Sequence, residues 1–198
     1  MSFRKEKKYR ISYNEKNILK DKLIQRGMTS IFPRRQINSC YFDSNNFKAF
    51  FDSEEGVLPR KKIRIRWYNS SIDFTKEIKI SSLEGRFKYS NKLNLNSLKD
   101  VIKHQIFDYD YGILSSKVIV SYVREYYNLE NLRITFDYDI IYKYSNNSSL
   151  FSQVDLECVM EVKAPIECSD DYIGNFLHIP SSRFSKYSRG VLFFQSLI

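Results

Sequence analysis

The chain has 198 residues, of which 32 are Lys or Arg and 23 are Asp or Glu, so its formal charge is +9 at pH 7. This excess of cations favours an anionic partner: nucleic acid, a membrane surface or a polyphosphorylated small molecule. Three cysteines without a close pair argue against a disulfide framework, and no apolar run of about 20 residues could cross a membrane. The opening residues also lack the apolar segment of a signal peptide. We therefore expect a soluble, cytoplasmic protein with one domain over residues 1–198.

Hydrophobic alternation and capping residues predict an α+β chain in which strands dominate. In chain order the predicted elements are strand 4–12, a helix from Asn14 to Gly27, strands 37–43, 61–68, 72–80 and 85–90, a helix from Asn96, strands 117–126 and 131–140, a loop over 143–153, strand 155–163, a helix from Ser169 and a terminal helix from about residue 183. Asn14 is the expected N-cap of the first helix, with Leu19 and Leu23 on one face. In the terminal helix, Arg183 and Lys186 would stand on one side.

The stretch 61–69, KKIRIRWYN, alternates aliphatic with charged side chains. Side chains two positions apart share a face of a strand, so Arg64 and Arg66 lie opposite Ile65. Other predicted strands place these polar residues opposite apolar ones: Glu6, Lys8 and Arg10; Glu77 and Lys79; Arg133, Thr135, Asp137 and Asp139; Glu157, Glu161 and Lys163. Arg124 departs from the pattern, because it shares its face with apolar side chains.

An ordinary half-buried strand with its arginines in water is the simplest interpretation of any one of these stretches. Arginines at the centres of several strands suggest instead that oxyanions are bound in a bidentate manner. If the sheet closes into a barrel with helices outside, the charged faces point inward, where each charge must be paired, solvated or matched by a ligand. A chain of phosphates with a divalent metal would meet that need, with arginines on the phosphate oxygens and a glutamate on the metal.

Short motifs in a fixed order carry a resemblance to a known family: EKKYRIS, YFD, IRIRWY, EIK, YVREYY, RITFDYD, MEVK and RFSKYSRG. From about Glu6 to Gly190 the chain resembles the VTC domain, the polyphosphate polymerase branch of the triphosphate tunnel metalloenzymes. The resemblance implies an antiparallel eight-stranded β-barrel tunnel with helices packed outside. It also implies that the protein binds ATP with Mn²⁺ or Mg²⁺ and transfers the γ-phosphoryl group onto a growing chain of inorganic polyphosphate.

The resemblance also implies a role for the charged residues of these motifs. Five residues are expected to contact the reacting phosphates: Arg64, Arg66, Lys79, Arg124 and Arg133. The expected substrate-binding residues are Lys8, Arg10, Lys88, Tyr122, Lys163, Arg183, Ser185 and Lys186. Glu161 is the expected metal ligand, while Glu6 and Glu77 either assist the metal or hold the arginines in ion pairs. The family has a further tunnel lysine near GRFKYS, and the sequence leaves open whether Lys88 or Arg86 replaces it.

Two alternative functions stay open at this point. The first is a hydrolase of the same tunnel class, with water as the phosphoryl acceptor. Such hydrolases begin with Glu-x-Glu-x-Lys, whereas the matching residues here are Glu6, Lys8 and Arg10. A lysine at the second position removes a metal ligand and adds a phosphate partner, which favours the polymerase. The second alternative is a non-catalytic binder of polyphosphate or nucleic acid.

A nucleic-acid binder would expose aromatic rings beside basic residues on one open face. Tyr122, Tyr126 and Tyr127 could serve, but Trp67 lies on the aliphatic side of its strand and is expected in the core. We therefore expect ATP and inorganic polyphosphate as partners, and no nucleic acid. Eukaryotic members of the family carry membrane helices that this sequence lacks, so coupling to a membrane pore would need a separate membrane protein.

Overall fold

The computed structural model describes residues 4–145, 151–169 and 179–195, together with 172, 174 and 177. The described strands are β1 (Arg4–Ile11), β2 (Thr29–Asp43), β3 (Arg60–Tyr68), β4 (Phe74–Ser82), β5 (Gly85–Leu93), β6 (Ile106–Asp108), β7 (Gly112–Leu129), β8 (Leu132–Tyr144), β9 (Ser152–Val154) and β10 (Cys158–Pro165). The described helices are α1 (Tyr13–Gln25), α2 (Lys48–Glu55), α3 (Leu98–Lys103) and α4 (Lys186–Gln195).

Eight strands form one hydrogen-bonded path in the order β1, β10, β8, β7, β2, β3, β4, β5. The short strand β6 pairs with β7, and β9 pairs with β8. The pairings at both ends of the path are antiparallel. The predicted fold class is confirmed, because the chain is α+β and its main sheet is antiparallel and eight-stranded.

β2 and β7 are much longer than their sequence patterns predict. β2 begins at Thr29 rather than at residue 37, and β7 extends from Gly112 to Leu129 rather than from 117 to 126. The first half of β2 is almost entirely exposed. It therefore lacks the apolar alternation by which a strand is recognised in sequence.

The chain groups into two compact units, each with its own core. Unit 1 comprises Met1–Gln36, Tyr122–Ile140 and Val154–Phe184, and unit 2 comprises Ile37–Ser121, Ile141–Gln153 and Ser185–Ile198. Core 1 lies in unit 1 and includes Tyr9, Leu23, Ile134, Phe136 and Met160. Core 2 lies in unit 2 and includes Phe42, Ile63, Ile65, Trp67 and Leu114. Trp67 is in the core as predicted, and the prediction of one domain over residues 1–198 stays a prediction.

The N-cap of helix α1 lies two residues before the predicted one. The N-cap is Ser12 and not Asn14, because the Ser12 hydroxyl accepts from the Glu15 backbone N–H while the Glu15 carboxylate accepts from the Ser12 N–H. This reciprocal pair satisfies two N–H groups that the helix itself leaves unpaired. Leu19 and Leu23 are buried on one face, as predicted.

The helices of unit 2 differ from the predictions in their starts. The N-cap of α3 is Ser97, one residue after the predicted Asn96. Helix α2 was not predicted. Its first N–H group, of Lys48, donates to the Ser44 hydroxyl at 3.0 Å, and the next two, of Ala49 and Phe50, donate to the Asp43 carboxylate at 2.9 Å. The terminal helix is confirmed, but it starts at Lys186. Arg183 therefore precedes the helix, and the prediction that it shares a helical side with Lys186 is wrong.

Two predicted segments fall partly outside the described residues. The helix predicted from Ser169 lies mostly there, as do residues 146–150 of the predicted loop. On either side of those five residues the loop is shorter than predicted, because β8 continues to Tyr144 and β9 occupies Ser152–Val154. None of the described helices combines the length and the apolar character that crossing a membrane requires.

Gly190 lets α4 pack closely within unit 2. A Cβ atom at this position would lie 2.7 Å from Val118 Cγ1 and 2.9 Å from Tyr142 Cδ1. Both neighbours are completely buried. Neither can therefore move aside without disturbing core packing.

Substituting Gly190 by Ala should destabilise the protein by about 1–3 kcal/mol, because the added methyl group overpacks a filled site. In an unpacked helix the same change would stabilise by about 1 kcal/mol, so the sign of the effect is diagnostic. Urea denaturation measures it. Leu192→Ala, on the exposed side of the same helix, is the control and should change stability little. A stabilised Gly190→Ala protein would contradict the close packing.

Candidate functional site

The predicted site residues divide between the two units. Unit 1 holds Glu6, Lys8, Arg10, Tyr122, Arg124, Arg133, Glu161, Lys163 and Arg183. Unit 2 holds Arg64, Arg66, Glu77, Lys79, Lys88, Ser185 and Lys186. Each unit brings several of its residues together on one face of its strands, and the two groups are described separately.

In unit 2, strand register places the charged residues side by side. Arg64 pairs with Tyr41 on β2 and with Glu77 on β4, and Arg66 pairs with Ser39 and Thr75 in the neighbouring row. Paired residues of an antiparallel ladder share a face of the sheet. The intervening Ile63 and Ile65 belong to core 2. The predicted alternation on β3 is confirmed.

Glu77 is the centre of this group, which we call the Glu77 cluster and define as Tyr41, Arg64, Arg66, Glu77 and Lys88. The Glu77 carboxylate lies 2.6 Å from Arg64 Nη2, 2.6 Å from Lys88 Nζ and 3.7 Å from Arg66 Nη1. Burial would raise the pKa of Glu77, but the charges of Arg64 and Arg66 and the hydrogen bonds from Lys88 and Arg64 lower it to about 2. One buried carboxylate thus orients three cations.

Lys88 and Arg86 both lie on the charged face of β5, because they pair with Lys79 and Ser81 of β4. Lys88 is the residue that reaches Glu77. Lys79 is exposed on the same face. Lys88 is thus a member of the cluster, and the choice between Lys88 and Arg86 stays open.

Tyr41 is a member of the cluster that the sequence did not single out. Its hydroxyl accepts a hydrogen bond of 3.0 Å from Arg64 Nη1, and its ring stacks on Tyr187 of α4 with the centroids 5.1 Å apart. Burial would raise the pKa of Tyr41, but the charges of Arg64 and Arg66, with the hydrogen bond from Arg64, lower it to about 8. The motif YFD, in which Tyr41 stands two residues before Asp43, is the sequence feature that could have identified it.

Tyr187 connects this ring to the start of α2. Its hydroxyl donates to Asp43 Oδ2 at 2.5 Å, and the same carboxylate caps α2. Burial, together with the charge of Asp43, raises the pKa of Tyr187 far above its ordinary value. The phenol therefore stays protonated and keeps donating, which fixes the ring on which Tyr41 stacks.

The start of α4 adds polar groups to unit 2. The Ser185 hydroxyl accepts from Lys62 Nζ at 2.8 Å and from the Ser188 N–H at 3.3 Å. Lys62 pairs with Lys79 on β4 and so belongs to the charged face. The positive charge of Lys186 contributes to the lowered pKa of Tyr41. Lys62 is a further cation for which the sequence predicted no role.

In unit 1, β1, β10 and β8 form a second charged face. Lys8 pairs with Glu161, and Glu161 pairs with Thr135. In the next row Lys163 stands between Glu6 and Arg133. We call the Glu161 cluster the following residues: Glu6, Lys8, Arg124, Arg133, Thr135, Asp137, Glu161 and Lys163.

Three carboxylates of the Glu161 cluster each have a cationic neighbour. Lys163 Nζ lies 3.0 Å from Glu161 Oε1, and Lys8 Nζ lies 3.6 Å from Glu6 Oε1. Lys8 Nζ also donates to the Phe184 carbonyl at 3.0 Å.

Phe184 is preceded in the chain by Arg183, which is exposed. The terminal segment is thus tied to β1.

The strongest of these pairs joins Arg124 to Asp137. Arg124 Nε and Nη2 donate to the two carboxylate oxygens at 2.5 and 2.7 Å, and the Tyr122 ring centroid is 5.4 Å from the guanidinium carbon. Burial would lower the pKa of Arg124, but the charge of Asp137 raises it well above its ordinary value. The sequence placed Asp137 on the charged face and gave it no role. The buried Arg124 guanidinium stays charged because Asp137 neutralises it.

Arg10 and Arg133 differ in their pairing. Arg10 forms a bidentate ion pair with Glu157 on a largely exposed surface, and such pairs contribute little to stability. Arg133, within the described part of the chain, forms no ion pair. Its guanidinium carbon instead lies 6.0 Å from the centroid of Phe32. Among the described residues, no carboxylate of the Glu161 cluster neutralises Arg133.

Glu161 fits a hard divalent cation as a single carboxylate ligand. Burial would raise the pKa of Glu161, but Arg124, Lys163 and Lys8 lower it to about 2, so the carboxylate is ionised at neutral pH. Its register partner Thr135 has a buried Oγ1 without a hydrogen-bond partner among the described atoms. No three His, Cys, Asp or Glu side chains of the described residues group into a metal cage. Such a site suits Mg²⁺, which commonly takes one or two carboxylates and completes its shell with water and phosphate oxygens.

Solved structures with the same fold come from bacteria and a plant. A Bacillus halodurans protein described provisionally as an adenylate cyclase is 15% identical, with 91% of this chain and 92% of that chain covered and a TM-score of 0.59. A Vibrio parahaemolyticus protein with the same provisional description is 12% identical, with 96% and 98% covered and a TM-score of 0.55. A Hippeastrum protein, described provisionally as an adenylyl cyclase with a dominant triphosphatase activity, is 16% identical, with 95% of both chains covered and a TM-score of 0.53. At these identities the likeness establishes the fold alone.

Comparison with curated protein sequences gives no match. The profile of the VTC domain matches residues 3–111 and 102–195. These two ranges include both charged clusters and the start of α4. The chain belongs to the VTC domain family.

Proposed function

We propose that this protein is a metal-dependent polyphosphate polymerase, which transfers the γ-phosphoryl group of ATP onto a growing chain of inorganic polyphosphate. The observation that carries the proposal is the Glu77 cluster, in which one buried carboxylate holds two arginines and a lysine on neighbouring strands. Phosphoryl transfer depends on positioning and charge neutralisation more than on a protein nucleophile. Cations fixed in this way supply both.

The two clusters have different charge balances, which suits them to different tasks. In the Glu77 cluster three cations surround one carboxylate, so the group attracts anions. In the Glu161 cluster three carboxylates are matched by Lys8, Lys163 and Arg124, and Arg133 adds one further charge. We assign phosphate binding to Arg64, Arg66, Lys79, Lys88 and Lys186 of unit 2 and to Lys8, Arg124, Arg133 and Lys163 of unit 1.

We assign the metal to Glu161, with Glu6 as its nearest acidic neighbour on β1. A bound Mg²⁺ or Mn²⁺ would neutralise phosphate charge beside this carboxylate. The charges of Arg124, Lys163 and Lys8 keep Glu161 ionised in the absence of the metal. Glu77 is assigned to orient the arginines, since its two oxygens already contact three cations.

Hydrolysis of a triphosphate is the second candidate. The description of the Hippeastrum protein, whose fold this chain shares, names a triphosphatase activity. Lys8 favours transfer to polyphosphate over hydrolysis, because it adds a cation for an anionic acceptor on β1. Non-catalytic binding of polyphosphate is the remaining alternative, and a separate membrane protein remains our proposal for any step that crosses a membrane.

Purified protein incubated with ATP and Mn²⁺ should form a ladder of polyphosphate on a gel that resolves chains from single phosphate. The same reaction with Mg²⁺ tests the choice of metal. Accumulation of single phosphate without chains would support the hydrolase. ATP left unchanged with either metal, despite measurable binding of polyphosphate, would support the binder.

Glu161→Gln should lower turnover by more than about 100-fold while leaving the fold intact, because a neutral amide is a poor ligand for a hard cation and keeps the same shape. Rates at increasing Mn²⁺ concentrations measure the effect. Glu157→Gln, which removes the partly buried carboxylate that pairs with Arg10 in the same unit, is the control. If the two variants lose equal activity, Glu161 is not the metal ligand.

The affinity for ATP should fall by about tenfold as the pH rises through about 8, because the ionised Tyr41 hydroxyl then puts a negative charge beside Arg64. The sign follows from the lowered pKa of Tyr41, since its protonated form predominates below that pH and leaves the charge of Arg64 available. Tyr41→Phe should remove this fall, whereas Tyr89→Phe, on the exposed part of β5, should keep it. Binding titrations from about pH 7.5 to about pH 9.5 decide the matter, and an equal pH dependence in the Tyr41→Phe protein would contradict the role of Tyr41.

A further inference from the structure

The first half of β2 carries an exposed aromatic ring among arginines. Phe32 is 46% exposed, and Pro33, Arg34 and Arg35 follow it directly. The Phe32 ring is about half exposed to solvent and does not belong to core 1. Phe32 is thus a partly exposed aromatic residue outside core 1 and beside two arginines.

Three side chains of unit 1 surround Phe32. Tyr126 meets it edge to face, with the centroids 5.8 Å apart. The guanidinium carbon of Arg35 lies 4.9 Å from the Tyr126 centroid and 5.8 Å from that of Phe32, and the guanidinium carbon of Arg133 lies 6.0 Å from Phe32. The distances to Phe32 are at the outer limit of a cation–π contact, so neither arginine is packed tightly on that ring. We call Phe32, Arg35 and Tyr126 the aromatic shelf.

Arg133 joins the aromatic shelf to the Glu161 cluster. On β8 it is the register partner of Lys163, one row from the Glu161 and Thr135 pair. Its guanidinium, which has no ion-pair partner in the described residues, ends near Phe32. A ligand with phosphates at Arg133 would therefore hold whatever is attached to those phosphates beside the shelf.

We propose that the aromatic shelf binds the nucleobase of the nucleoside triphosphate whose phosphates contact the Glu161 cluster, with the base stacked on Phe32 and bordered by the guanidinium of Arg35. This inference rests on the proposed function, because it takes the phosphate site from it. Bases stack on aromatic rings and on guanidinium planes without regard to base identity. The shelf thus distinguishes nucleotides from inorganic phosphate chains, but not adenine from guanine.

A nucleobase suits the shelf better than the other ligands of this protein. Polyphosphate has no ring and would gain nothing from Phe32. Because β2 is held in the sheet by hydrogen bonds, the backbone of Phe32 has a fixed position. The donor and the product would then compete for the phosphate contacts but not for the shelf, which gives the protein a means to prefer ATP as the donor.

The test compares ATP with inorganic tripolyphosphate, which has the same phosphate chain and no base. In the parent protein ATP should bind more tightly than tripolyphosphate. Phe32→Ala should weaken ATP binding by about tenfold and change tripolyphosphate binding by less than about twofold. Phe32→Trp should restore or strengthen ATP binding, because the larger ring also stacks. Calorimetric titration gives both affinities, and circular dichroism checks the fold.

Phe107→Ala is the matched control, since Phe107 is an exposed phenylalanine in unit 2 at 67% exposure. It should leave the preference for ATP unchanged. Equal affinities of the parent for ATP and tripolyphosphate would overturn the shelf and leave the proposed function standing. The same holds if Phe32→Ala weakens both ligands equally. If the parent binds neither compound, both proposals fail.

Discussion

The organisation of this protein depends on the pairing of charges that strands carry into partly buried positions. A charge removed from water is costly unless an opposite charge and hydrogen bonds replace the lost hydration. Arg124 meets this condition through both oxygens of Asp137, and Arg64 meets it through Glu77 and Tyr41. The partners come from adjacent strands in each case, so sheet register decides which charges can be accommodated.

The same constraint explains why the two clusters differ in chemistry. The Glu161 cluster pairs one carboxylate with each of Lys8, Arg124 and Lys163 and leaves a small surplus at Arg133. Sharing one carboxylate among three cations leaves the Glu77 cluster with a surplus that a bound anion can neutralise. Glu77 is thus both a stabiliser of the folded state and the reason that Arg64 and Arg66 hold a fixed orientation before any ligand arrives.

Sequence alone predicted the features that depend on two-residue periodicity. The faces of β3 and the core position of Trp67 follow from alternation. The eight-stranded antiparallel sheet was implied by the resemblance that the ordered motifs carry. The stacking of Tyr41 on Tyr187 and the capping of α2 by Asp43 join residues far apart in the chain, so no local pattern contains them. Ser12 was overlooked as a cap because Asn14 offered the same chemistry two residues later. The first half of β2 was overlooked because exposed strands carry no apolar signal.

Helix α4 places a buried residue directly after a cationic one, and this order has an entropic consequence. Tyr187 is held by its ring stack and by its hydrogen bond to Asp43, which fixes the backbone on both sides of it. Lys186 therefore starts from an ordered main chain, and only its side-chain torsions lose freedom when it contacts an anion. Ordering a flexible segment would cost about 1–2 kcal/mol for each backbone residue fixed. Because Tyr187 is buried beside Lys186, the loss of backbone entropy at this segment occurs on folding and not on binding.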